Sequence, residues 1–133
     1  MDRSEVMRRV KARDTKPEML VRATLRQLGF PGYRLDRKDL PGRPDIAFIG
    51  RRKAIFVHGC FWHGHDCKRG ARVPKTNADY WRAKIARNQE RDARATQALD
   101  EMGWETLTLW ECELKSIEGF SARLSEFLDQ QRP

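Results

Sequence analysis

The sequence predicts an α/β domain with a small mixed β-sheet flanked by helices. Three observations lead there. Apolar residues recur at helical spacing in three separate segments, two short apolar runs are joined by a turn, and one late segment alternates residue by residue. A length of 133 residues fits a single domain spanning 1–133. Hydrophobic residues make up 39% and charged residues 35%, so the chain is polar but can fill one modest core.

Met1 to Arg13 is rich in charge and reads as a short helix or a flexible arm, with Met7 and Val10 among its large apolar positions after the first residue. Thr15-Lys16-Pro17-Glu18 is a capping-box pattern, with Thr15 as N-cap and Glu18 three residues on. Val21, Leu25 and Leu28 follow at helical spacing, and Gly29 closes the helix. Residues 31–45 read as loop and turn, through Pro31-Gly32 and Pro41-Gly42-Arg43-Pro44. Ile46–Ile49 and Ala54–Val57 are apolar runs around Gly50-Arg51-Arg52, which predicts a hairpin.

Residues 58–75 show no regular period. A long helix is expected from near Thr76 to near Met102, with Gly103 after it. Its stripe is Trp81, Ile85, Asn88, Asp92, Ala95, Leu99 and Met102, one face of a helix carrying two polar residues that need partners. From Trp104 to Trp110, Trp104, Thr106, Thr108 and Trp110 alternate with Glu105, Leu107 and Leu109, as in a strand. A last helix near 116–130 is expected to bury Phe120, Leu124, Phe127 and Leu128.

The net charge is +8 and is unevenly spread. Residues 1–38 hold 11 basic and 5 acidic side chains, and residues 68–94 hold 9 and 3. Residues 95–133 reverse the balance with 3 and 8. Two basic blocks and an acidic tail suit a polyanionic partner on one face. No run of about 18 apolar residues exists, which argues against a membrane span. The charged N-terminus lacks the apolar stretch of a secretory signal. Three cysteines suit a reducing cytosol with thiols available for metal.

The stretch His58-Gly59-Cys60-Phe61-Trp62-His63-Gly64-His65-Asp66-Cys67 gathers all three histidines and two of the three cysteines. The third, Cys112, follows the last expected strand. Thiolate and imidazole are the preferred ligands of zinc, and a structural site is closed by four of them. Three cysteines and one histidine make such a set; spacing alone leaves His63 and His65 both eligible. The metal would staple an irregular loop to a strand end far along the chain. With four protein ligands it has no open position, so chemistry falls to the remaining histidines and nearby carboxylates. Asp45, at the start of a strand whose hairpin returns to Phe56-Val57-His58, is such a carboxylate. A carboxylate so placed can hold Mg²⁺ for phosphodiester hydrolysis.

Pro41-Gly42-Arg43-Pro44-Asp45, the 58–67 motif, Trp-x-x-Lys-Ile-x-x-Asn-x-x-Arg-Asp at 81–92 and Gly-Trp…Trp-Glu-Cys at 103–112 resemble the very short patch repair (Vsr-type) DNA mismatch endonucleases. The segments at 3–9 and 13–18 look similar too, so the resemblance covers nearly the whole chain in family order. It implies a restriction-endonuclease-like fold with a structural zinc site. It also implies nicking of the T-containing strand of double-stranded DNA beside a T:G mismatch left by deamination of 5-methylcytosine, which starts very short patch repair. The expected protein is a monomer, cytoplasmic in bacteria and nucleoid-associated, with a functional link to a cytosine-5 DNA methyltransferase.

By the same resemblance Asp45 and the Val57 backbone carbonyl hold Mg²⁺. His63 is the general base, Asp92 orients it, His58 lies near the scissile phosphate or metal waters, and Glu18 contributes nearby. Cys60, His65, Cys67 and Cys112 bind zinc. Phe61 and Trp62 form a wedge between base pairs, with Trp81 and Met7 as further stacking candidates. Lys84 and Asn88 are carried over as DNA contacts, and residues 1–13 as a DNA-contacting arm. The family commonly carries Thr at position 57; a backbone ligand survives Val57, whereas a side-chain role would not. A nuclease without mismatch preference would cut paired duplex equally, and a non-catalytic zinc-stapled DNA-binding module would leave Asp45 and the spare histidines without purpose.

Overall fold

The computed structural model describes residues 16–35, 37–60, 63, 65, 67 and 75–129. The expected N-terminal arm with Met7, the N-cap Thr15 and the aromatic pair Phe61 and Trp62 lie outside the described residues. The elements run α1 (Lys16–Gln27), β1 (Arg34–Leu35), β2 (Ile46–Phe48), β3 (Lys53–His58), α2 (Ala78–Glu101), β4 (Glu105–Trp110), a 3₁₀ turn (Glu111–Lys115) and α3 (Ile117–Asp129).

Among the described residues four strands form one sheet in the order β1-β2-β3-β4. β1, β2 and β3 pair antiparallel, and β3 pairs parallel with β4, so the sheet is mixed as expected. A parallel pair needs a long crossover, and α2 supplies it. The expectation of loop throughout 31–45 is corrected by β1, in which Arg34 pairs with Ala47 and Leu35 with Ile46. Two exposed residues carry no readable alternation; their pairing comes from the hairpin edge beside them.

Both long-range helix ends follow from glycine. At the end of α1, Gly29 has φ 89° and its N–H bonds Arg26 O, while Phe30 N–H reaches Leu25 O. At the end of α2, Gly103 has φ 86°, its N–H bonds Asp100 O, and Trp104 N–H reaches Leu99 O. Both are the paired 6→1 and 5→2 closure that a left-handed residue permits. Met102 departs from the expected stripe: it caps the end of α2 with its side chain exposed, because the chain has already begun to leave the helix.

Strand alternation divides the core in two. Ile46, Phe48, Ile55 and Leu109 face α1 and α3 and pack with Val21, Leu25, Leu114, Phe120, Leu124 and Leu128. Ala47, Ala54 and Phe56 face the other way and pack with Leu40, Leu99 and Trp104. Lys53 falls on the α3 side and is 2% exposed. A buried ammonium must be satisfied, and Lys53 Nζ donates to Phe127 O and pairs with Glu105 at 3.8 Å. Arg51 joins it from the hairpin, donating to Leu128 O at 2.7 Å. Two cations thus hold the carbonyl end of α3, where the helix dipole favours them.

Candidate active site

The α2 side of the sheet turns polar at one end. Asp45, two residues before Ala47, and His58, two residues after Phe56, fall on that side by strand period. In the parallel register His58 lies opposite Trp110. From α2, Asn88, Asp92 and Ala95 approach at spacings of four and three. These groups enclose a cleft of about 530 Å³, lined also by Glu18, Arg43, Val57, His63, Arg91 and Glu111.

Asp45 Oδ2 accepts the Val57 backbone N–H at 2.7 Å, which holds the carboxylate against β3. His63 Nδ1 lies 2.6 Å from Asp92 Oδ2. A carboxylate only accepts, so Nδ1 carries the proton and Nε2 presents its lone pair. The His58 ring stacks on His63, centroids 3.8 Å apart and planes 2° from parallel. Asp92 Oδ2 is 3.9 Å from His58 Nδ1, beyond hydrogen-bond reach, and that buried nitrogen has no hydrogen-bond partner among the described residues.

His58 is 8% exposed. Burial pushes its pKa down to about 4, repulsion from His63 adds to this, and Asp92 opposes it. His58 is therefore neutral at pH 7. Glu18 is buried at the cleft edge and pairs with Arg22 Nη2 at 3.2 Å, one helical turn away.

Beside this cleft, Cys60, His65, Cys67 and Cys112 bring their ligand atoms within 4.8 Å of one another. Backbone bonds from His63 N–H to Gly59 O and from His65 N–H to Cys60 O curl the loop. The 3₁₀ turn after β4, which sequence periodicity does not reveal, swings Cys112 in, and its Sγ lies 3.5 Å from His65 Nδ1. Burial pushes the Cys60 thiol up to about 12, the Cys112 backbone N–H opposes the rise, and the Cys67 and Cys112 thiols add to it. Such a thiol ionises when a cation takes the proton's place, and three sulfurs with one imidazole nitrogen suit a soft or borderline cation. The geometry separates the two histidines that spacing could not: His65 joins the thiols, and His63 joins Asp92.

The other expected DNA contacts lie along α2. Trp81 is half-buried on its first turn, packed edge-on by Tyr80 at 5.2 Å, with Lys84 Nζ 5.9 Å from its ring centre. Of this set only Asn88 lines the cleft. Trp110 was not expected to touch the histidines. It stacks on His65 at 4.2 Å and meets His58 edge-on at 5.2 Å, standing between the thiol cluster and the cleft. Its alternation with Leu109 marks a strand position, and the parallel register that sets it opposite His58 comes from the tertiary structure.

A carboxylate-lined cleft with a histidine–aspartate pair, beside a thiol–imidazole cluster, has the parts of a metal-assisted hydrolase. Residues 1–69 match the family model described as DNA mismatch endonuclease Vsr. The type II nicking enzyme V.XorIIP of Xanthomonas oryzae pv. oryzae is 47% identical over 127 residues, covering 96% of this chain and 92% of that one. The type II nicking enzyme V.NmeAIP of Neisseria meningitidis is 44% identical, covering 86% and 80%. The DNA mismatch endonuclease Vsr of Escherichia coli is 40% identical, covering 95% and 83%. This chain belongs to the DNA mismatch endonuclease Vsr family.

Proposed function

We propose that the chain, as one restriction-endonuclease-like domain over residues 1–133, nicks the T-containing strand of duplex DNA beside a T:G mismatch. Family membership supports endonuclease action on mismatched DNA. The observation that carries the chemistry is the 2.6 Å His63–Asp92 pair sharing a cleft with Asp45.

In this reading His63 Nε2 takes the proton of the attacking water, and Asp92 fixes the ring and stabilises the imidazolium that forms. Asp45 and the Val57 carbonyl would hold Mg²⁺, hard oxygen donors for a hard cation. Bound there, Mg²⁺ would polarise the phosphoryl oxygen and offset its developing charge. His58, neutral and buried, packs the base in place and offers a hydrogen bond toward the phosphate. Glu18, held by Arg22, adds acidic character at the cleft edge. Zinc on Cys60, His65, Cys67 and Cys112 would fix the loop that carries His63.

Phe61 and Trp62 fall on that same loop in sequence, and in this reading they wedge the mismatched step, aided by Trp81 and Met7. Lys84 and Asn88 contact the DNA alongside. A T:G pair produced from 5-methylcytosine ties the enzyme's substrate to a cytosine-5 DNA methyltransferase. The test is a labelled duplex, T:G against T:A, with Mg²⁺, scored strand by strand. Cleavage confined to the T strand of the T:G duplex is expected; equal cleavage of T:A would make this a nuclease without mismatch preference.

A further inference from the structure

This inference rests on the nicking reading above and concerns Arg43. Among the described residues three non-glycine residues have positive φ: Arg43 at 50°, Arg52 at 55° and Asn77 at 58°. Arg52 lies in the tight β2–β3 turn, its N–H bonded to Ile49 O, and Asn77 precedes the first turn of α2. Asparagine tolerates that conformation, whereas arginine gains nothing from it.

Arg43 closes a turn of the same kind, its N–H bonded to Leu40 O at 3.1 Å, and its neighbour presses that turn against the cleft wall. Gly42 has φ 73°, and a Cβ on it would lie 2.5 Å from Ala95 Cβ and 3.2 Å from the Phe56 ring. The turn is therefore pressed against α2 and β3, and the chain must leave it through Arg43 toward Pro44 and Asp45. A glycine at 43 would meet the turn's needs with less strain. Strain that a simpler residue would relieve points to a use for the side chain.

The cleft supplies that use. Glu18, Asp45, Asp92 and Glu111 line it, against Arg43 and Arg91 as its lining arginines. A phosphodiester entering this cleft meets mostly carboxylate, and its negative charge grows in the transition state. We propose that Arg43 is a catalytic residue whose guanidinium grips the non-bridging oxygens of the scissile phosphate. In the step it serves, the water oxygen bonds to phosphorus and its proton passes to His63. One phosphorus–oxygen ester bond breaks, and the leaving oxygen takes a proton from solvent. Arg43 transfers nothing; it stabilises charge from a fixed position, in the bidentate geometry that arginine offers phosphate.

The test uses the full chain with its bound metal and the T:G duplex, comparing wild type with R43Q, R43G, R43K and R52G. R43Q and R43G should lower the single-turnover rate at saturating enzyme about 10²–10³-fold. Duplex affinity without added Mg²⁺ should stay within about threefold, because many other phosphate contacts remain. R43K should recover part of the rate, since charge returns without the fork. R43G should unfold no earlier than wild type, and R52G should nick at the wild-type rate. The proposal fails if R43Q and R43G nick like wild type, if their loss lies wholly in affinity, or if R43G is lost to unfolding. A wild-type chain that nicks neither duplex removes the reading beneath as well, whereas wild-type nicking with unimpaired R43Q removes this inference alone.

Discussion

The Nδ1 atom of His63 lies 2.6 Å from Oδ2 of Asp92, joining an irregular loop to the middle of α2. That contact orients one imidazole and fixes its tautomer. Asp92→Asn should keep the shape of the contact while reversing its polarity, allowing the wrong nitrogen to carry the proton. His63→Ala and Asp92→Asn should each lower the nicking rate on the order of 10²–10⁴-fold. The double variant should be little worse than either single one, because the pair acts as a unit. Single-turnover nicking of the T:G duplex measures this; additive losses would separate the two roles.

Asp45→Ala should abolish nicking and leave duplex binding largely intact, since it removes a hard oxygen ligand and little apolar area. The Val57 N–H that Asp45 accepts would be left to solvent. Raising Mg²⁺ should not restore the rate. Recovery at high Mg²⁺ would show that another carboxylate of the cleft holds the ion.

The purified protein should carry about one zinc per chain, with the Cys60, His65, Cys67 and Cys112 set closed around it. Cys112→Ala should lower metal content and the unfolding temperature together, because Cys112 ties the loop to the end of β4. Elemental analysis and thermal unfolding on the same sample check this. A metal-free protein that stays folded and fully active would sink the structural role.

His58 gives the fold an acid-sensitive component. Its folded pKa is about 4, below the ordinary 6.5, so the folded state favours the neutral ring. Below 6.5 the unfolded chain binds a proton that the folded chain refuses. The associated stability is therefore present above pH 6.5, falls as pH drops from 6.5 toward 4, and is exhausted below that. Its size is on the order of 3 kcal/mol. His58→Asn should flatten this part of the difference curve in denaturant unfolding from pH 7 to 4. An identical slope in both proteins would assign the acid sensitivity elsewhere.

Phe61→Ala with Trp62→Ala should narrow the gap between T:G and T:A duplexes, through loss of T:G binding or cleavage. Arg87→Ala, on the exposed side of α2, should instead weaken both duplexes alike and shallow the salt dependence of binding. Titrations at two salt concentrations, run beside nicking rates, distinguish these outcomes. An unchanged mismatch preference in the aromatic double variant would make those rings packing residues.

What the sequence could determine was whatever neighbours in the chain decide. Val21 and Leu25 repeat at helical spacing, Gly29 and Gly103 supply the left-handed residue that ends a helix, and Leu107 and Leu109 alternate with Thr106 and Thr108. Each is a local statement of period or backbone freedom, and each recurs in the fold. The His/Cys density at 58–67 was legible for the same reason, since those ligands crowd one short stretch. What only the tertiary structure decided was which groups meet across the chain. His63 and His65 are equivalent by spacing, and they part because the loop turns one toward α2 and the other toward Cys112. The two-residue β1 exists because the edge of β2 offers it hydrogen bonds, and Trp110 reaches the histidines because β4 lies in parallel register with β3. Contacts between distant segments depend on how the sheet and α2 pack, and no local pattern of residues carries that information.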